Sequence, residues 1–447
     1  MRSPSLRVLL GVAWYFPDSV GGTEKYVRAL ATELRTAGVE VALAVPDRAM
    51  VRVERSQHEG IEVFRFAPGS GTSGAGQEFD IGAAAPPGWL KVLRAFGPTI
   101  VDVHSLTSDL GLAHLTSARE AGARTVVTVH LPGLVCARGT LLRFGHEVCD
   151  GDLRRQPCTA CRLDARGVPP RVGTLLSDLP SGLADWLDRV PMPAVARRTI
   201  AADAAHLARL VWLRAVRDCA DRVVVVSAFL KQMLVQNGFA SDRVIVCRQG
   251  VERSGLTHTP ATATVVPGVL RVGFVGRFDP LKGLDVLIDA AERLPQNARI
   301  EFHIWGAART PDAEAYRAAV IRNAQMLPQV IFHGEADSLT PYAEMDVLVV
   351  PSVAVETGPF VVLEAQAAGL PVVGSDLGGI AERVTSEVDG LLFPAGDANA
   401  LADVLMRFWH DPRSLARLRP TQAVRSVADV ARETLQTYAV LASERAA

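Results

Sequence analysis

Apolar positions come in short continuous runs separated by amphipathic stretches, and that alternation sets the expected architecture. Residues 6–12 and 39–45 are apolar runs of strand length. Between them Val27, Leu30, Ala31 and Leu34 fall at i, i+3, i+4 and i+7, the spacing of one buried helix face. Gly38 stands where a helix gives way to a parallel strand. Residues 99–103, 125–129 and 222–226 continue the buried-strand pattern, and Ser227 is placed to cap a helix that stops at Gly238. A second series follows, with strands over 270–275, 299–305, 347–350 and 371–374 and a helix over 285–294. Alternating strands and helices predict parallel, doubly wound α/β sheets. A chain of 447 residues is too long for one core, so two Rossmann-like domains are expected.

Breaks in the pattern set the boundaries. Residues 254–268 are rich in Thr, Pro and Ala without periodicity and read as a linker. The expected organisation is an N-terminal domain over 1–253, that linker, a C-terminal domain over 269–425, and a final helix over 426–447 that returns to the first domain. Residues 66–89 read as a long mobile loop. Residues 131–220 depart from the alternation, opening with a cysteine cluster and ending in a helical segment with Arg197, Arg198, Arg209, Arg214 and Arg217. That segment is either an ordinary solvated face or a peripheral contact with a membrane.

Charge narrows the function classes. The formal net charge is −1, and basic residues are not interleaved with aromatics, so nucleic acid is not an expected partner. No run of 18 or more uncharged apolar residues predicts a membrane-spanning helix. The apolar run at 8–13 is too short for a signal-peptide core, so the expected location is cytoplasmic, with any membrane contact at the inner face.

The richest chemistry lies in PSVAVETGPFVVLEAQAAGLP, residues 351–371. A strand ends near Val350, Thr357, Gly358 and Pro359 form a turn, and a helix begins near Phe360. The first amides of such a helix point to the carboxyl edge of the sheet and suit a phosphate. Pro359 offers no amide, which leaves Phe360 and Val361 as donors. Glu364 lies one turn in, placed to accept hydrogen bonds from a vicinal diol. As a glycosidase pair Glu356 and Glu364 would need roughly 5–9.5 Å between carboxyls, whereas eight helical residues span about 12 Å; the plain alternative for the two is a helix cap and a surface charge. In VGFVGRFDPLKG, Arg277 and Lys282 follow a strand and can neutralise a diphosphate, the plain alternative being two solvated loop cations. Gly21 and Gly22 precede a helix and permit close approach of a phosphate or sugar, with Glu24 on the helix dipole as the alternative. No G-x-G-x-x-G occurs at this turn, which argues against a dinucleotide enzyme. His104 and His130 end two strands and would reach the same edge of the first sheet, the plain alternative for each being a structural histidine.

Taken in order, GGTEKYV, TVVTVH, VVVVSAFLKQMLVQNGF, VGFVGRFDPLKG, VLVVPS and ETGPFVVLEAQAAGLPVVGSD resemble the family-4 glycosyltransferases across nearly the whole chain, residues 139–220 excepted. The resemblance implies a GT-B fold, with two Rossmann-like domains facing across a cleft. It implies retaining transfer of a sugar from a UDP-, GDP- or ADP-type donor to a hydroxyl acceptor, which is a glycan, a lipid-linked molecule or a small molecule of bacterial glycoconjugate or polysaccharide synthesis. No cofactor is required for catalysis in that scheme. Carried over, Arg277 and Lys282 hold the diphosphate, Glu364 the ribose, Glu356 the donor sugar, Gly22 the phosphates, and His130 lines the site near the sugar. Gln249-Gly250 stands where relatives have Asn-Gly, and Thr357-Gly358-Pro359-Phe360 where many have a Phe-Gly turn. The competing readings are another GT-B class, such as an epimerase or phosphorylase, and a nonenzymatic binding protein.

Cys136, Cys149, Cys158 and Cys161 fall in a C-x12-C-x8-C-x2-C pattern. Four thiolates at that spacing point first to a closed structural zinc site, with His146 as a further candidate ligand. Unlinked thiols, disulfides and an iron–sulfur cluster are the alternatives. Some bacterial family members resemble this chain in carrying such cysteines, and their position after His130 implies a part in shaping the acceptor side.

Overall fold

The computed structural model describes residues 6–17, 21–69, 84–177, 194–252, 268–335, 340–420 and 423–444, without the side chains of 194–200. The chain forms two compact units, Met1–Arg248 with Val427–Ala447, and Gln249–Ser426. The expected linker lies outside the described residues except for Gly268, as do residues 70–83 of the expected mobile loop.

In the first unit the strands are β1 (Arg7–Val12), β2 (Glu40–Pro46), β3 (Glu54–His58), β4 (Ile61–Phe66), β5 (Ile100–His104), β6 (Arg124–Val129), β7 (Leu142–Arg143), β8 (Glu147–Val148), β9 (Arg222–Val225) and β10 (Val244–Val246). Eight of them form one sheet in the order β10-β9-β6-β5-β1-β2-β4-β3. All its pairings are parallel except β3 with β4. β3, ERSQH, is an exposed, charged edge, a composition that discourages further pairing. The predicted helix runs over Gly22–Thr36, and Val27, Leu30, Ala31 and Leu34 are buried. Gly38, at φ +84°, turns the chain from that helix into β2.

The expected loop to Trp89 gives way at the helix Pro87–Phe96, which buries Trp89 against Phe66. The irregular stretch contains the helices Arg155–Asp164, Pro170–Ser177 and Ala194–Cys219, and β7 pairs with β8 in a hairpin of its own. One basic residue is not a surface residue at all. Arg209 is 2% exposed, with Nη2 donating to the Gly133 carbonyl, so it ties the long helix to the segment after β6 and offers nothing to a membrane. The side chains of Arg197 and Arg198 lie outside the described residues. The terminal helix Val427–Ser443 belongs to this unit, where Tyr438 reaches Asp102 and Arg222 reaches Glu444.

The second unit holds β11 (Leu270–Val275), β12 (Ile300–Trp305), β13 (Val330–Gly334), β14 (Val347–Val350), β15 (Val372–Ser375) and β16 (Gly390–Phe393) in the parallel order β13-β12-β11-β14-β15-β16. Successive residues feed opposite cores: Val347 and Val349 join Phe302, Ile304 and Leu287, while Leu348 and Val350 join Trp305, Val362 and Ile380. Burial on both faces is why these strands read as continuous apolar runs. Strand order reverses between β11 and β14 here, and between β1 and β5 in the first sheet. Open α/β sheets bind ligands outside the carboxyl ends of the strands at such points. Among the described residues no helix is long and apolar enough to cross a membrane.

Candidate functional site

The reversal in the second sheet gathers the predicted chemistry. After β11 a short turn, Pro280–Lys282, is capped by Asp279, whose side chain accepts from the Leu281 amide. Gly283 follows at φ +66°, and a Cβ there would run into the Pro351 carbonyl, so the turn lies flush against the end of β14. Val353 N donates to the Leu281 carbonyl at 3.1 Å across the same contact. Lys282 Nζ is thereby brought 2.8 Å from Glu356 Oε2, 74 residues away in sequence. Ser352 Oγ donates to the other carboxylate oxygen. Lys282 and Glu356 side chains are 27% and 16% exposed, so the pair is reachable yet partly shielded from water.

The backbone around Glu356 is fixed as tightly. Its carbonyl accepts from Gly379 N at 2.6 Å, and a Cβ on Gly379 would meet the Thr357 carbonyl at 2.5 Å. Gly358 lies against Gln249 Oε1, which also accepts from Arg383 Nη2 at 3.1 Å. The Gln-for-Asn departure is therefore structural, a longer side chain that reaches the turn. The helix Phe360–Ala367 begins after Pro359 with no side-chain cap. Tyr342, 4% exposed, donates to Glu364 Oε2 at 2.5 Å. Burial, then the Glu364 charge, drives the Tyr342 phenol well above its ordinary pKa, so it remains a donor. Arg277 stands apart: its side chain is 73% exposed and reaches Asp279 at 3.7 Å.

In the first unit, by contrast, the predicted groups turn inward. His104 Nδ1 and His130 Nε2 are 3.0 Å apart, so one ring donates and the other accepts. Both residues are buried, and burial holds them neutral, lowering His104 to about 3 and His130 well below its usual value, where His104 adds to the effect. His104 Nε2 lies 3.8 Å from Asp102 Oδ2. Asp102 accepts from Thr128 Oγ1 at 2.9 Å and from Tyr438 OH at 2.6 Å. Burial nevertheless raises the Asp102 carboxyl to about 6. Tyr26 packs edge-on to His130, with ring centroids 4.9 Å apart. At the helix start Gly21 is the extended N-cap of Gly22–Thr36, and the Glu24 carboxylate folds back over it.

The four clustered cysteines form no disulfide. They line one cavity in the insertion, and burial pushes the Cys158 thiol up to about 12, with Cys149, Cys161 and Cys136 opposing its charge further. As they stand, no three His, Cys, Asp or Glu side chains among the described residues form a group able to hold a metal ion. His146 is exposed, with Nδ1 on the Phe144 carbonyl.

Comparison with known proteins places both units. Residues 270–411 match the family described as "Glycosyl transferases group 1", and residues 20–156 match "Glycosyltransferase Family 4". A D-inositol 3-phosphate glycosyltransferase of Mycolicibacterium gilvum is 31% identical over 356 residues, 71% of this chain and 79% of the relative. The chain belongs to glycosyltransferase family 4. An amylovoran biosynthesis glycosyltransferase of Erwinia amylovora is 31% identical over 42% of this chain. Against the first three curated relatives the match spans 47%, 59% and 45% of the relative's length. Anabaena HepE, solved with UDP and glucose, superimposes with a TM-score of 0.62 at 16% identity, covering 96% of this chain and 99% of that one, and shares the GT-B fold. The two matched family stretches take in Arg277, Lys282, Glu356, Glu364, Gly21, Gly22 and His130. Cys158, Cys161 and the helix Ala194–Cys219 fall between them.

Three side chains at these sites were not legible as such in the sequence: Ser352, Tyr342 and Tyr438. Ser352 lies four residues before Glu356 and carried a local signal; the tyrosines reach carboxylates 22 and 336 residues away and carried none.

Proposed function

We propose that this chain transfers a sugar from a nucleotide-diphosphate donor to a hydroxyl acceptor with retention at the anomeric carbon. The observation that carries the reading is the Lys282–Glu356 pair, held at 2.8 Å where strand order reverses and beside a helix start that no side chain caps. In this reading the diphosphate takes over the Lys282 ammonium, joined by Arg277, whose exposed side chain has room to swing in. Phe360 and Val361 offer amides to the donor past the narrow Gly358 turn. Glu356, relieved of its lysine, accepts from the sugar hydroxyls while Ser352 holds its other oxygen. Glu364, anchored by Tyr342, accepts from the ribose diol.

The anomeric C–O bond to phosphate breaks as the acceptor oxygen bonds to the same face, and the leaving phosphate oxygen takes the acceptor's proton. Lys282 and Arg277 stabilise the charge that develops on that phosphate. The scheme calls on no protein nucleophile. Gly21 and Gly22 are assigned to substrate, with the first unit taking the acceptor and the buried His130, bonded to His104, forming the wall behind them. UDP is the first nucleotide to try, given the HepE complex, and GDP and ADP are the alternatives. The acceptors to try are a small phosphorylated polyol, after the D-inositol 3-phosphate glycosyltransferases, and a glycan or lipid-linked acceptor, after the amylovoran biosynthesis glycosyltransferase.

The test is release of nucleoside diphosphate from a panel of UDP-, GDP- and ADP-sugars, followed by mass spectrometry with and without candidate hydroxyl acceptors. One donor series should turn over, and Glu356→Gln should slow it by about 100-fold or more. Turnover unaffected by Glu356→Gln would remove the carboxylate from the sugar site.

A further inference from the structure

The insertion between β6 and β9 carries chemistry that sugar transfer leaves unused. Cys136, Cys149, Cys158 and Cys161 line one cavity of about 40 Å³. They arrive from three places: the turn after Pro132–Leu134, the end of the β7–β8 hairpin, and one face of the helix Arg155–Asp164, where Cys158 and Cys161 stand at i and i+3. The other two cysteines, Cys219 and Cys247, are buried elsewhere.

His206 lines the same cavity from the long helix. It is 0% exposed, and neither ring nitrogen has a hydrogen-bond partner among the described residues. A buried imidazole with neither nitrogen satisfied is available to a ligand in the cavity. Arg138, Arg143, Arg162 and Arg209 line the cavity as well. Arg138 also pairs with Asp164 at 2.9 Å and Arg143 lies 4.0 Å from Asp150, while positive charge nearby favours the thiolate form of the cysteines. Arg138 Nη1 lies 4.0 Å from Cys161 Sγ. The Phe144 amide points at the same sulfur at 3.4 Å, from a φ of +53° that bulky residues seldom adopt. Soft donors, an orphaned imidazole, and positive charge around them fit a thiolate-bound metal.

We infer that the four thiols bind one zinc ion as a closed structural site, with His206 as hydrogen-bond donor to the ligand sulfurs. Uptake exchanges four thiol protons for one Zn²⁺, leaving a tetrathiolate of charge −2 that the surrounding arginines balance. The side chains do not yet form a ligand group as they stand, and uptake closes the four sulfurs onto the ion. The site would tie three segments together within the first unit and does not depend on the sugar-transfer reading.

The experiment is metal analysis of the full-length protein purified with reductant and without chelator. About one zinc per chain and no iron are expected. A mercurial that titrates the wild-type thiols should release that zinc as the cysteines react, a readout independent of any variant's folding. Cys158→Ser with Cys161→Ser should lower zinc at least tenfold and reduce thermal stability, whereas Cys219→Ser with Cys247→Ser should retain it. His206→Gln should weaken retention against a chelator by about 10–100-fold, and unchanged retention would overturn its role. Zinc below about a tenth per chain after incubation with the ion overturns the site. So does iron with visible absorption, or a native mass lowered by the hydrogens lost in disulfide formation.

Discussion

The two units use the same strand–helix scaffold and treat their polar residues in opposite ways. In the second, Lys282, Glu356 and Glu364 lie at the edge of the sheet, each held by one or two partners and each still reachable. In the first, Asp102, His104 and His130 are sealed in, bonded to Thr128, to Tyr438 and to one another. An edge carboxylate paired with a mobile lysine can exchange that partner for a ligand at little cost, because both groups keep contact with water. A buried carboxylate cannot, and its hydrogen bonds set the geometry of what lies beside it. The second unit thus leaves its charged pair open to exchange, and the first holds His130 in one place.

The largest expected effect is on the exchangeable pair. Lys282→Ala should cut turnover by about 10²–10³, or roughly 3–4 kcal/mol of transition-state stabilisation, with little change in melting temperature. A large loss of stability instead would mean that the pair is structural, like its counterparts in the first unit. Tyr438→Phe should do the reverse. It strips a buried carboxylate of a donor, so a loss of about 1–3 kcal/mol in denaturant unfolding is expected, and an unchanged midpoint would show that the terminal helix does not depend on Asp102.

A smaller effect is on pH dependence. The folded chain refuses protons at His104 and His130 that the unfolded chain accepts near the ordinary histidine value of 6.5, so their contribution to stability falls away as pH drops from 6.5 towards about 3. Asp102 acts in the opposite sense. Its folded pKa is raised from 3.8 to about 6, so acidification through that window favours the folded state. Two histidines against one carboxyl leave a net loss of about 1.4 kcal/mol per pH unit at most from these three groups, and burial of His114 and His206, both lowered to about 4, adds in the same direction. Melting temperature should fall from pH 6.5 to 4.5, and more steeply in Asp102→Asn. A flat profile would contradict the neutral, buried state of the histidine pair.

What could be read from sequence divides along the same line. The site in the second unit was legible because its backbone requirements and its chemistry share short segments: Gly283 sits beside Lys282, and Gly358 and the helix start follow Glu356 within four residues. Strand positions were legible because burial on both faces leaves unbroken apolar runs. The polar, exposed β3 gave no such signal. The anchors from Tyr342 and Tyr438 were invisible, since nothing near a tyrosine announces a carboxylate brought to it by the fold. Arg209 misled for a related reason: on sequence it was one of five arginines in a helical stretch, and only packing shows that it faces inward.

The most direct test of the second unit as a preformed nucleotide-sugar site is calorimetric titration of wild type and Glu364→Ala with UDP, GDP and ADP. One nucleotide should bind the wild type without acceptor, and the variant should lose at least about tenfold in affinity, or 1.4 kcal/mol. Equal affinity in the two proteins, or no binding by the wild type, would contradict it.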